Sequence, residues 1–158
     1  MRSSLHTPHS PNVWQITFPK EVTKNKTEHT IPLSPPTSAI LTPLLTNSKE
    51  PSCNLCFPAR GQLEKPFNGW SKAKKQLDQL SGVSNWTLHD LRRTFSTNMA
   101  RLGVPPHVTE AILNHKTGTI SPIARIYNRY NFMPEMKAAM DKHDAFIASL
   151  TSHETAPM

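Results

Sequence analysis

The sequence predicts a mainly α fold with a small β-hairpin sheet, an α+β arrangement. Apolar residues recur at helical spacing along most of the chain, and prolines stand where several helices would begin. Only one pair of segments has the alternation of a half-buried strand. At 158 residues the chain suits one domain and can bury a real core. We expect that domain over residues 13–150, between a disordered segment, 1–12, and a disordered tail, 151–158.

The strand prediction rests on Trp14, Ile16 and Phe18, which alternate with polar neighbours. A polar stretch separates them from a second apolar segment, Ile31-Pro32-Leu33, so we expect a β-hairpin with a lysine-rich tip. The lysines of that tip are Lys20, Lys24 and Lys26. Each could simply be a solvated side chain at the end of a hairpin.

Helical segments follow the hairpin. Prolines 35 and 36 begin the first helix, and Pro43 should bend or shorten it. Residues 46–66 are loop-like apart from one short apolar piece. A helix from Trp70 to Leu80 would place apolar residues on one face and lysines outside, and a last helix begins at Pro134.

Two further helices lie between these segments. The first begins near His89 and has an apolar stripe that we expect to be buried, consisting of Leu91, Phe95, Met99 and Leu102. Gly103 suits the position just after its end. Pro105-Pro106 then begins a second, short helix, which delivers Asn114 and His115.

Four residues from His89 to Tyr127 form a candidate site. His89 and Arg92 are three residues apart, so they share a helix face and can contact a single anion. His115 and Tyr127 follow in that order. A tyrosyl oxygen can attack a phosphodiester while a guanidinium and imidazoles neutralise charge on the phosphoryl oxygens. Taken singly, an H-x-x-R pair is usually a solvated helix face and a tyrosine usually core or rim, but the ordered set favours the functional interpretation.

The segments HDLRRT, LNHK and IYNRY, in that order, resemble the catalytic domain of tyrosine recombinases, specifically phage-type integrases. The resemblance covers residues 12–150. It implies site-specific DNA recombination or integration through a 3′-phosphotyrosyl DNA intermediate. Tyr127 would be the nucleophile, and Arg92, His89 and His115 would stabilise the pentacoordinate phosphorus. The family often has glycine before the second histidine, and Asn114 stands there without shifting the register.

The hairpin continues the resemblance. The family has a hairpin of the form T-K-x-x-x-x-H-x-(I/V)-P-L, whose lysine reaches into the DNA minor groove and protonates the departing 5′ oxygen. Lys24 is the matching position, with Lys20 and Lys26 as nearby alternatives. The resemblance therefore implies that Lys24 is the general acid.

One motif of the family is missing from these 158 residues: a T-G-x-R-x-(G/S)-E box, whose arginine holds the scissile phosphate together with the arginine matched by Arg92. Arg2 lacks the following glutamate and receives no role. We therefore expect residues 13–150 to be a partial integrase catalytic domain, truncated at its N-terminal side. Whether it is an enzyme stays open, and the alternative is an inactive remnant that only binds DNA or docks on a partner.

The charge balance agrees with a nucleic-acid partner. Eighteen lysines and arginines against eleven acids give a net charge of +7, which favours a polyanion. The resemblance implies double-stranded DNA and self-association on it, with a tetramer in the family. No apolar run approaches the roughly 20 residues that a membrane span needs, and the N-terminus lacks an apolar signal core. We expect no membrane contact and a location in the bacterial cytoplasm, with the DNA.

No cofactor or metal is expected, because a phosphotyrosine link stores the energy of the broken bond. Cys53 and Cys56 form a CxxC, but a zinc site would need two further ligands that the sequence does not offer. Two buried thiols beside Phe57 are the simpler interpretation. Loops of the GxxxxGK[ST] or GxGxxG type are absent, so nothing supports nucleotide chemistry.

The site prediction has a geometric consequence. His89, Arg92 and His115 should line one basic pocket, with Tyr127 on a helix near it. A guanidinium is rarely buried without a partner, so without DNA we expect Arg92 to face solvent or an acid such as Asp90.

Overall fold

The computed structural model describes residues 4–6, 14–46, 55, 57–115 and 130–152. Within these ranges the chain forms five α-helices and five short strands, which confirms the predicted mainly α fold. The strands are β1 (Ser4–His6), β2 (Trp14–Phe18), β3 (His29–Leu33), β4 (Pro58–Ala59) and β5 (Gln62–Pro66). The helices are α1 (Pro35–Thr46), α2 (Trp70–Ser81), α3 (Leu88–Arg101), α4 (Pro106–Leu113) and α5 (Met133–Ser152). None of these described helices has the length and apolar character that a membrane crossing requires.

Strands β2 and β3 form the predicted hairpin. They are antiparallel, and Phe18 lies opposite His29 at the end nearest the tip. Across the pair, the hydroxyls of Thr17 and Thr30 hydrogen-bond at 2.9 Å. Such cross-strand pairs stabilise a sheet and fix its register. The lysine-rich tip, residues 19–28, therefore extends from a base of defined register.

A third strand, β1, pairs with the other edge of β2, where Ser4 lies opposite Thr17. Residues 1–12 are expected from their sequence to be disordered, and the structure differs at Ser4–His6. Three residues are too few to show the period of two by which strands are recognised. The strand forms because β2 offers an edge of unpaired backbone groups.

A second small hairpin lies inside residues 46–66, which the sequence predicts to be loop-like. Strands β4 and β5 pair there antiparallel, with Pro58 opposite Pro66, and Gly61 adopts a φ of +74° in the turn between them. Prolines at both ends replace the β-branched residues that usually mark strands. That composition is the reason why the hairpin is not apparent in the sequence.

Helix α2 is amphipathic but contributes no buried residue to the described structure. It ends at Gly82, whose φ of +66° is the left-handed conformation expected after a helix. On its apolar face Trp70 and Leu80 are exposed. On its polar face Lys74 pairs with Asp78 at 2.7 Å, one turn later.

The core lies where α3, α4 and α5 meet. Its buried members are Met99, Val104, Val108, Ile112, Met136 and Ala139. Helix α3 begins in a capping box, in which the backbone N–H of Thr87 donates to the Asp90 carboxylate at 2.9 Å. It ends before Gly103, at φ +69°, as predicted. Since α5 also packs against β3, the sheet is attached to this helical core.

The predicted buried stripe of α3 is wrong at its first position. Met99 has no exposed surface, and Phe95 and Leu102 pack against the core, but Leu91 is 57% exposed. Leu91 instead lines a groove with Leu77 of α2. A stripe with the period of a helix drifts around the axis over three turns, and at Leu91 it faces α2 rather than α4 and α5.

Met99→Ala should lower the free energy of unfolding by about 2–5 kcal/mol, because it opens a cavity in the only part of α3 that is fully enclosed. Leu91→Ala, on the same helix, should change it by less than about 0.5–1 kcal/mol, as for an exposed position. Urea denaturation of both variants measures the difference. Equal losses in the two variants would contradict an orientation of α3 that buries Met99 and exposes Leu91.

The base of the hairpin is held to α4 by His29. Its Nε2 donates to the carbonyl oxygen of Ile112 at 3.2 Å, since a carbonyl can only accept. The pKa of His29 is lowered, chiefly because partial burial disfavours the charged ring. The hydrogen bond to Ile112 acts in the opposite direction, and the positive charge of Arg92 lowers the pKa further.

This shift predicts a pH dependence of stability. Above pH 6.5 the ring is neutral in both folded and unfolded chains and contributes no slope. Below pH 6.5 His29 is protonated in the unfolded chain, but in the folded chain it is protonated only when the pH reaches the lowered pKa of the ring. Because the unfolded chain binds more protons in this range, the free energy of unfolding falls as the pH falls. His29→Gln keeps an N–H donor but does not titrate. Its unfolding free energy, measured between pH 7.5 and 5, should therefore fall less steeply than that of the unmodified chain. Identical slopes would show that His29 does not titrate abnormally.

Candidate functional site

Arg92 and His115 are in direct contact, although they are 23 residues apart in sequence. The Nε–H of Arg92, on α3, donates to Nε2 of His115, just beyond α4, at 3.1 Å. An Nη2–H of Arg92 also donates to the carbonyl oxygen of Leu113. Because a guanidinium can only donate, Nε2 of His115 must be unprotonated in this arrangement. The structure therefore brings together the two site residues that the sequence places on different helices.

Arg92 keeps its charge available for an anion. In the ranges that the structure describes, no carboxylate forms an ion pair with it. A guanidinium has five N–H donors, and the contacts with Leu113 and His115 use two of them, which leaves three. A half-buried guanidinium of this kind can bind a phosphate through two parallel hydrogen bonds.

Arg92 is expected to face solvent or an acid such as Asp90; its side chain is partly exposed to solvent, and Asp90 is not its partner. Asp90 accepts hydrogen bonds from Thr87 at the start of α3 and forms an ion pair with Arg93 at 3.1 Å. The hydrogen bond from the Thr87 backbone is the main reason why the pKa of Asp90 lies below its usual value. A carboxylate at this position stabilises the first turn of the helix, where unpaired N–H groups and the helix dipole favour negative charge.

Of the other predicted site residues, His89 and Lys24 lie in the described ranges. His89 is exposed in the first turn of α3, one turn before Arg92 and on the same face. Lys24 is exposed at the hairpin tip. Tyr127 lies outside the described residues, as do Cys53 and Cys56.

The turn that carries His115 is left-handed. Asn114 follows the last residue of α4 with φ 53° and ψ 37°. Its N–H donates to the carbonyl of Ala111 at 3.3 Å, and the N–H of His115 donates to the carbonyl of Glu110 at 3.0 Å. Glycine is favoured in this conformation, and asparagine is the side-chain-bearing residue that tolerates it best. This explains how Asn114 can replace the glycine that is common in tyrosine recombinases.

The hairpin tip docks on this turn. Asn25 Nδ2 donates to Asn114 Oδ1 at 2.6 Å, so the loop that contains Lys24 is attached beside His115. The sequence does not predict Asn25 as a site residue. A polar residue in a polar loop carries no signal for a contact with a partner 89 residues away.

His29 is the second residue that sequence reasoning misses. It contacts the carbonyl of Ile112, and its lowered pKa, due first to burial, keeps the ring neutral near Arg92. It does have a sequence signal, since it is the histidine in the hairpin pattern that begins with Thr23-Lys24. That pattern assigns a role only to the lysine.

Two cavities of about 520 Å³ each open beside these residues and share His29 and Asn114. One is also lined by His115 and Tyr130, and the other by Arg92. Arg92 and His115, which are hydrogen-bonded to each other, therefore line adjoining cavities at the protein surface. An extended ligand that passes over Asn114 could contact both of them.

Tyr130 lies in the first of these cavities but is already engaged. Its hydroxyl donates to the two carboxylate oxygens of Glu135 at 2.9 and 3.0 Å. This hydrogen bond is the main cause of a raised pKa for Tyr130. A tyrosine with a raised pKa is ionised to a smaller extent at neutral pH, so less of its nucleophilic phenolate is present.

A metal centre finds no support in the described ranges. No group of three or more histidine, cysteine, aspartate or glutamate side chains there is arranged to hold an ion. Arg92 and His115 themselves can provide electrostatic stabilisation and proton transfer, with an anion as the ligand.

Comparison with known proteins identifies the family. The sequence model of the phage integrase family matches residues 9–133, which include Lys24, His89, Arg92, His115 and Tyr127. Prophage integrase IntA of Escherichia coli (strain K12) is 32% identical over 130 residues. That alignment covers 80% of this chain and 29% of the relative, so the chain spans less than a third of that protein. No solved structure matches the chain. As the motifs of the sequence predict, the chain belongs to the phage integrase family.

Proposed function

We propose that this chain is the strand-transfer part of a phage-type tyrosine integrase, which recombines double-stranded DNA site-specifically through a 3′-phosphotyrosyl intermediate. The observation that carries the proposal is the contact at 3.1 Å between Arg92 and His115. No acid in the described ranges forms an ion pair with the guanidinium of Arg92. Family membership supports the same chemistry. Residues 13–150 would belong to the catalytic domain, acting with further copies on DNA in the bacterial cytoplasm.

The reaction begins with attack of the Tyr127 oxygen on the scissile phosphorus. The new bond joins that oxygen to phosphorus, and the bond from phosphorus to the 5′ oxygen breaks. Lys24 gives its proton to the departing 5′ oxygen. The phosphotyrosyl bond retains the energy of the broken phosphodiester, so rejoining to a new 5′ hydroxyl needs no nucleotide.

Arg92 and the two histidines stabilise the negative charge that develops on the phosphoryl oxygens. A phosphoryl oxygen can replace His115 as the acceptor of the Arg92 Nε–H, which keeps the guanidinium in place and adds charge-assisted hydrogen bonds. That exchange exposes the unprotonated Nε2 of His115, which can take the tyrosyl proton and become a second cation beside the phosphate. His89, exposed one turn before Arg92, adds a further ring N–H donor on the same face of the helix.

The choice of Tyr127 over Tyr130 has two supports. Tyr127 occupies the tyrosine position of the motif, and Tyr130 donates its hydroxyl to Glu135 with a raised pKa. Using Tyr130 would require its release from that carboxylate first.

The alternative function is DNA binding without chemistry, by an integrase remnant. The net charge of +7 favours it, since phosphate contacts alone give affinity without sequence preference. This alternative uses the same surface but predicts no covalent product. Covalent adduct formation therefore separates the two functions, and binding does not.

We expect the protein to form a covalent adduct with a nicked attachment-site duplex whose 5′ leaving group cannot religate. Tyr127→Phe should abolish the adduct, because it removes the nucleophilic oxygen, whereas Tyr130→Phe should retain it. Denaturing gel electrophoresis with end-labelled DNA measures both.

Two results would contradict this assignment in different ways. An adduct that survives Tyr127→Phe but not Tyr130→Phe would make Tyr130 the nucleophile. If no variant forms an adduct while binding weakens steeply with salt, the chain is the DNA-binding remnant of the alternative.

Arg92→Lys should slow adduct formation by roughly 10²-fold or more, because an ammonium keeps the charge but not the paired N–H geometry. Arg93→Lys is the matched control: Arg93 is the next residue on α3, and its side chain is 75% exposed, in a surface ion pair. Both changes conserve net charge, so the salt dependence of DNA binding should stay the same. Quenched-flow or time-course gels measure the rates. Equal slowing by the two substitutions would remove Arg92 from the proposed site.

A further inference from the structure

A pair of side-chain amides joins the lysine-rich tip to the end of α4. Asn25 donates to Asn114 at 2.6 Å, and Asn114 Nδ2 donates back to Asn25 Oδ1 at a longer 3.5 Å. Both side chains are partly buried. Lys24 precedes one of them and His115 follows the other. One contact therefore links the loop of the proposed acid to the turn of the proposed phosphate-binding histidine.

The tip is ordered by its own hydrogen bonds, so an anchor at Asn25 acts on the whole loop. The N–H of Lys26 donates to the carbonyl of Thr23 at 3.1 Å, and the hydroxyl of Thr23 donates to the carbonyl of Thr27 at 2.7 Å. These bonds close a turn around Lys24. The backbone of Lys24 is thereby fixed, while its exposed side chain can extend towards a DNA strand.

The identity of residue 114 matters for this anchor. A left-handed residue at φ 53° is accommodated with less strain as glycine, but glycine has no amide to offer the hairpin. Asparagine meets the backbone requirement and adds the contact. In this chain the turn that presents His115 is therefore also a docking point for the hairpin.

We propose that Asn25 and Asn114 are positioning residues, which hold the loop of Lys24 beside the Arg92–His115 pair before DNA binds. The inference rests on the proposed function, in which Lys24 protonates the leaving 5′ oxygen. The amides themselves transfer no proton. Their effect is to restrict where the lysine can be, so that less conformational freedom is lost when the phosphate arrives.

The first measurement needs no DNA. Backbone amide hydrogen exchange, read by mass spectrometry on peptides that cover residues 19–28, reports opening of the tip. Asn25→Ala and Asn114→Gly should each speed that exchange roughly two- to tenfold, because each removes the hydrogen bond of 2.6 Å together with the weaker one of 3.5 Å. Asn85→Gly is the matched control, because Asn85 is another left-handed asparagine, at φ 64°, in the loop between α2 and α3. Asn85→Gly should leave the hydrogen-exchange rate of the tip unchanged.

The second measurement tests whether the Asn25–Asn114 contact helps Lys24 to protonate the leaving group. A nicked duplex is prepared with either oxygen or sulfur as the 5′ leaving atom. A thiolate leaves without a proton because thiols are far more acidic than alcohols, so sulfur makes the general acid unnecessary. Lys24→Ala should slow cleavage of the oxygen duplex by roughly 10²–10⁴-fold and the sulfur duplex little. Asn25→Ala and Asn114→Gly should show the same pattern, at roughly tenfold.

The outcomes are distinct. Unchanged hydrogen exchange in both variants would show that the amide pair does not hold the hairpin tip. If both variants cleave the oxygen and sulfur duplexes equally slowly, the amides do not position Lys24, and their loss only destabilises the fold. If the unmodified chain cleaves neither duplex, the proposed function fails, and the exchange experiment still decides whether the amide pair holds the hairpin.

Discussion

The site depends on how the C-terminus of one short helix is capped. The last four carbonyls of a helix have no partner within it, and each must be satisfied from outside. In α4 those acceptors are the carbonyls of Glu110, Ala111, Ile112 and Leu113. Their donors, in the same order, are the N–H groups of His115 and Asn114 and the side chains of His29 and Arg92. The end of the helix is thus completed by the residues that form the candidate site.

This arrangement accounts for the position of a charged group that no described acid neutralises. The C-terminus of a helix carries a partial negative charge, which favours a nearby cation without forming a strong ion pair. Arg92 is therefore held by a carbonyl and a neutral imidazole, both of which are weaker partners than a carboxylate. A phosphate can replace the imidazole and gain a charge-assisted bond. An aspartate in the same place would have to be displaced at much greater cost.

The elements around the site could be read from the sequence because each is marked locally. Pro105-Pro106 and Gly103 mark helix boundaries, and the motif residues Arg92 and His115 lie on elements that those boundaries define. The contacts that assemble the site leave no signal in the local sequence. His29 is 83 residues from its acceptor and Asn25 is 89 from its partner, so only the folded chain brings them together. The same applies to Leu91, whose apolar character predicts burial although its environment is the exposed groove against α2.

The geometry of the site also depends on how the core packs. Helix α4 has eight residues, too few for stability in isolation, so its position depends on packing against α3 and α5. Val108 and Ile112 provide that packing from the buried face. Since α4 ends in the turn at Asn114, any shift of the helix moves His115 relative to Arg92, which is anchored on α3. The distance between the guanidinium and the imidazole is therefore set by how α3 and α4 pack, and the hairpin follows because it is bonded to the end of α4.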